Sequence, residues 1–120
     1  MNNTLAHLYK TIAAEFKRPF VKNTFGDEFR IYLYLGDREG FNLFTENAAK
    51  EGVSFGDGRN LSEKKYDDVL ALNEDLTVNY VGMYGHMAFK HPEASSRYIV
   101  RIDYAKFLAG DENYMYQPTA

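Results

Sequence analysis

The sequence predicts an α+β domain in which one N-terminal amphipathic helix packs on a mainly antiparallel sheet of five or six short strands. Three observations lead there. Residues 5–16 repeat apolar side chains at helical spacing. Several later segments alternate apolar and polar residues, as half-buried strands do. Between those segments stand short runs rich in Gly, Asp and Asn, with no regular crossover helices of the kind a parallel sheet requires. The chain has 120 residues and a mass of 13.8 kDa, the size of a single domain spanning 1–120.

Each element can be justified in order. Leu5, Leu8, Tyr9, Ile12, Ala13 and Phe16 fall on one helical face, Asn2 or Asn3 can cap the first turn, and Pro19 ends the helix. Phe29 to Leu35 (FRIYLYL) alternates and is rich in aromatic and β-branched residues, so it reads as a strand. Residues 36–40 (GDREG) read as a turn and Phe41 to Phe44 as the returning strand. Thr45 can cap a short helix from Glu46 to Glu51, closed by Gly52. Residues 53–66 lack periodicity and form the expected long loop. Asp68 to Leu72 and Thr77 to Val81 then pair as a hairpin around Asn73-Glu74-Asp75. His86 to Lys90 and Arg97 to Tyr104 read as two more strands joined by a turn over 91–96. Tyr104 to Ala109, followed by Gly110, gives one or two helical turns. Gly-Asp recurs at 26–27, 36–37, 56–57 and 110–111, always between periodic segments, as turn punctuation.

Composition excludes several classes of function. The net charge is −3, which disfavours broad electrostatic binding to nucleic acid or anionic lipid. Residues 1–24 carry four basic residues against Glu15 alone, a net of +3, leaving −6 for the remaining 96. No apolar run approaches the roughly 20 residues a membrane helix needs, and no leader-like basic-then-apolar start is present. There is no cysteine, so disulfides, thiol catalysis and Cys-based zinc sites are excluded, and a cytoplasmic location is expected. Ten Tyr and nine Phe, without Trp, supply material for a sheet core and for protein contacts.

No catalytic signature emerges. His86, His91 and Glu93 resemble a metal set, but a five-residue interval on an alternating strand puts the two imidazoles on opposite faces. Asp67 and Asp68, as neighbours on a strand, would also diverge and form no acid/base dyad. Asp103 reads as the N-cap of the helical turn that follows it. No Ser lies in a nucleophile elbow, and the Phe55–Asn60 glycine loop lacks phosphate-loop spacing. In Arg97-Tyr98-Ile99-Val100-Arg101 the arginines and Tyr98 fall on opposite faces, which argues against a stacking platform for single strands and for a core-facing Tyr98. No residue pattern requires a cofactor or a metal.

What remains is a binding protein. Gly82 and Gly85 suggest a bulge or turn that presents Met83 and Tyr84 outward, and Tyr114, Met115 and Tyr116 make the polar tail a candidate docking anchor. These five residues are the expected contacts to another protein. In size and composition alone, the chain resembles the small, acidic, aromatic-rich accessory proteins encoded by phages and mobile elements. That resemblance implies an inhibitor that blocks a larger host complex. The alternatives are a small enzyme or ligand-binding domain using His86, His91 and Asp103 beside the 53–66 loop, and a homo-oligomer built through the helix face or a strand edge.

Overall fold

A computed structural model describes residues 4–16, 29–58, 65–95 and 98–117. The order along the chain is α1 (Leu5–Phe16), β1 (Phe29–Tyr34), α2 (Arg38–Lys50), β2 (Ser54–Phe55), β3 (Val69–Leu72), β4 (Thr77–Tyr80), α3 (Gly82–Lys90), β5 (Tyr98–Asp103) and α4 (Tyr104–Leu108). The α+β class and the N-terminal helix stand as the sequence predicts. Five strands form one sheet in the order β2-β4-β3-β1-β5. The sheet is mixed. β1–β3 and β3–β4 pair antiparallel, whereas β1–β5 and β2–β4 pair parallel. The parallel β1–β5 ladder is six residues long and runs from Phe29↔Tyr98 to Tyr34↔Asp103, so both strands end at the same edge of the molecule.

The period-2 pattern sorts side chains between two cores. Ile31, Leu33, Leu70, Leu72, Val78, Val100 and Ile102 face α1, α2 and α4, joined there by Leu5, Leu8, Phe41, Phe44 and Phe107. Each of the fully buried ones contributes about 1.5–3 kcal/mol of transfer free energy. The alternate residues Tyr32, Val69 and Ile99 meet Phe89 of α3, with Tyr34, Ala71 and Tyr116 packed around them. The sheet is therefore covered on both faces, where the alternating pattern suggests one helix-covered face and a second holding the polar alternates and some of the tyrosines.

Two segments expected as strands are helices. Phe41–Phe44 lies within α2 because Phe41, Phe44 and Ala48 recur at helical spacing, and Asp37 caps the helix by accepting from Gly40 N at 2.9 Å. Gly40 is not a turn residue. A Cβ there would stand 1.9 Å from the Leu35 carbonyl oxygen, so its absence lets α2 start directly beneath the end of β1. His86–Lys90 belongs to α3, whose buried side is Gly85 and Phe89, one helical turn apart. A Cβ on Gly85 would lie 2.4 Å from Val81 Cβ. Room for Val81 accounts for Gly85, and Gly82 opens the helix at φ +71, a conformation that favours glycine.

The remaining expectations divide. The β3–β4 hairpin forms, with Asn73 N donating to Thr77 O at 2.8 Å. α4 forms with Asp103 as its N-cap, the carboxylate accepting from Lys106 N. Ser54–Phe55, assigned to the long loop, adds to β4 as a two-residue strand. Thr45 lies inside α2, its hydroxyl donating to Asn42 O. Tyr98, expected to face the core, is 56% exposed at the start of β5, the outermost strand of the sheet. At α1, Thr4 Oγ1 accepts from His7 N at 3.2 Å, and Glu51, which caps the end of α2, accepts from Leu5 N at 2.9 Å. Asn2, Asn3, Pro19, Gly26, Asp27, Arg97 and residues 59–64 of the expected loop lie outside the described residues.

Candidate functional site

Helix α3 carries two different kinds of chemistry on its two sides. Gly85 and Phe89 turn inward to the sheet. Met83, Tyr84 and Met87 turn outward and are 76%, 84% and 56% exposed. Positions 83 and 87, and 84 and 87, are one helical turn apart, so the three side chains make one continuous apolar surface. The sequence expected Met83 and Tyr84 to point outward from a bulge; they do so from a helix, and Met87 joins them. Helical periodicity in 81–89 (Val81, Gly85, Phe89 inward) is the signal that identifies Met87.

The flank of α3 facing the end of β1 carries His86. Its Nε2 lies 3.1 Å from Asp67 Oδ1 and its Nδ1 3.8 Å from Asp68 Oδ1. Asp67 and Asp68 precede β3 rather than lying in it, so strand alternation does not separate them. The segment is pinned by Leu35 N, which donates to Asp68 O at 2.7 Å, and by Val69 N, which donates to Asp67 Oδ1. Burial raises the Asp68 carboxyl above its ordinary value, its hydrogen bond with Asp67 adds to that, and His86 opposes both. The field extends to the neighbouring phenols. Burial pushes the Tyr34 hydroxyl up, and Tyr116, Asp68, Asp103 and Asp37 push it further. Tyr66, which donates to Gly36 O, is raised by burial and then by Asp68, Asp37, Tyr34 and Asp67.

The other residues singled out from sequence take separate places. His91 sits 3.8 Å from Glu93, both largely exposed, and Asp103 is engaged as the cap of α4. His86, His91 and Asp103 thus have different partners. Tyr114 and Tyr116 are both docked on this chain. Tyr114 packs edge-on against Phe107 with ring centres 5.3 Å apart. Tyr116 lies 4.7 Å from both Tyr34 and Phe89, with the Arg101 guanidinium 5.3 Å above its ring. Met115 between them is 41% exposed and bridges Ile102 at the free side of β5. A shallow groove of about 520 Å³ follows that edge, between Thr11 and Glu15 of α1, Tyr98 and Arg101 of β5, and Met115.

No protein-family model, curated protein or solved structure matches the chain. Among the described residues, no helix is long and apolar enough to cross a membrane.

Proposed function

We propose that the protein is a non-enzymatic protein-binding module that docks through the outer side of α3. The observation that carries this reading is the surface formed by Met83, Tyr84 and Met87, three large side chains held out on a helix whose opposite side is fixed to the sheet. Methionine adapts its shape to a partner, and tyrosine supplies rigid area with a polar tip, which are the properties of interface anchors. A short helix presenting adjacent apolar side chains suits an apolar groove on a larger protein. Three side chains are too few for the roughly 800 Å² per partner of a standard interface, so neighbouring loops would complete the contact. Size, acidity and absence of cysteine support the further reading of a cytoplasmic inhibitor that occupies such a groove and blocks a larger complex.

The test is capture of a partner from host lysate, with nuclease added, by the wild type and by a Met83→Gln/Tyr84→Gln/Met87→Gln variant. The expected result is one stoichiometric protein captured by the wild type and lost by a variant that melts like it. Equal capture by the variant would move the interface elsewhere, with the groove beside Tyr98 and Met115 the next surface to change. Light scattering over a range of concentrations tests the homo-oligomer alternative.

A further inference from the structure

We infer that Asp67, Asp68 and His86 form a binding site for one divalent transition-metal ion. One nitrogen and two carboxylate donors are brought together from two separate elements, His86 from α3 and the aspartates from the segment entering β3. One ligand atom from each lies within 4.8 Å of the other two. A metal bound at about 2.0–2.2 Å from each donor holds them about 3–4 Å apart, so the cluster closes by about 1 Å on binding. None of the three is fully exposed, with side-chain exposures of 25%, 45% and 33% for Asp67, Asp68 and His86. The backbone of Asp68 is fixed by Leu35 N, which donates to its carbonyl, and the Asp67 carboxylate is oriented by Val69 N, which donates to Oδ1.

The same end of the sheet carries two further carboxylates. Asp37 and Asp103, the N-caps of α2 and α4, stand at the carboxyl ends of the parallel pair β1 and β5. The imidazole selects among cations. Ions such as Zn²⁺ or Co²⁺ accept nitrogen with carboxylate oxygen, whereas Ca²⁺ and Mg²⁺ favour all-oxygen shells. Three protein donors leave coordination positions for water or an external ligand. Bound metal would also tie α3 to the start of β3 and stiffen the helix that carries Met83, Tyr84 and Met87.

Calorimetric titration of the purified, metal-free protein with Zn²⁺, and absorbance titration with Co²⁺, test the site. The expected result is saturable one-to-one binding in the micromolar range, a rise in Tm with Zn²⁺, and a visible Co²⁺ band. Asp68→Asn and His86→Gln should each weaken Zn²⁺ binding by more than about 100-fold, beyond the usual cost of losing an outer-shell partner. His91→Gln should leave it unchanged. Asp68→Asn relieves a half-buried like-charge contact, so it retains the fold and separates loss of the ligand from loss of structure. Absence of saturable binding, or binding that survives in either ligand variant, overturns the site. Ca²⁺ binding as tight as Zn²⁺ overturns it too, because the imidazole would then not be a ligand.

Discussion

The chain contains two Met-Tyr pairs, Met83-Tyr84 in α3 and Met115-Tyr116 in the C-terminal tail. In α3 both members are exposed, and the inward side of the helix is left to Gly85 and Phe89. In the tail the tyrosines are claimed by the fold. Tyr114 joins the main core beside Phe107, Tyr116 joins the smaller core beside Phe89, and the two straddle the edge of β5. Asp103 N donates to Tyr114 O at 2.8 Å and Tyr116 N to Arg101 O at 2.9 Å, so the tail also closes part of an edge that would otherwise invite pairing. The same residue types therefore serve opposite ends. What decides is whether an unfilled apolar surface lies within reach: the tail runs past two of them, and the outer side of α3 faces none among the described residues.

Phe89 belongs to both regions, since it anchors α3 and receives Tyr116. Replacing it should blur the distinction with the largest effect. Phe89→Ala is expected to cost about 3–5 kcal/mol in denaturant unfolding and to expose the tail to limited proteolysis. The double variant Tyr114→Ala/Tyr116→Ala should cost about 2–4 kcal/mol, from lost area and two sets of ring contacts, measured the same way. Arg101 donates to Phe89 O at 2.9 Å, at the C-terminal end of α3, and covers the rings of Phe89 and Tyr116. Arg101→Met should therefore cost about 1 kcal/mol, a loss that double-mutant cycles with Tyr116 would show to be shared.

A smaller effect comes from the far side of the sheet, where neither Met-Tyr pair reaches. Burial raises the Glu51 carboxyl, and the hydrogen bonds from Leu5 N and Ala6 N only partly oppose it. A raised folded-state value favours the protonated form. Its contribution is fully present below the carboxyl's ordinary value and is lost as pH rises through the folded one. Glu51→Gln keeps an oxygen for Leu5 N and removes the ionisation. Its Tm should change less than that of the wild type between pH 4 and pH 7, by about a degree.

Much of this fold is legible in the sequence where one period dominates. α1, β1, the β3–β4 hairpin, β5 and the Asp103 cap all follow from spacing or from a cap residue next to a periodic run. The failures share a cause. Gly40 and Gly85 read locally as turn residues, yet Gly40 lets α2 start against the Leu35 carbonyl and Gly85 leaves room for the Val81 side chain one turn before it, requirements visible only in three dimensions. With Gly85 taken as a break, α3 becomes a strand, and Met87 and the second covered face disappear with it. The Asp67–Asp68–His86 cluster was out of reach for a related reason. His86 is 18 residues from Asp68 in the chain, and their meeting depends on α3 being a helix laid against the end of β1.

The most direct measurement is a pair of thermal melts, one of Met83→Gln/Tyr84→Gln/Met87→Gln and one of Tyr114→Ala/Tyr116→Ala, each against wild type. Glutamine keeps the helix propensity of methionine, so the first variant reports the apolar surface alone. If the outer side of α3 is spare to the fold, the first variant stays within about 0.5 kcal/mol of wild type while the second falls by several degrees. A collapse of the first variant would show that Met83, Tyr84 and Met87 are structural. A tail variant that melts like wild type would show that its tyrosines, and not those of α3, are the ones held in reserve.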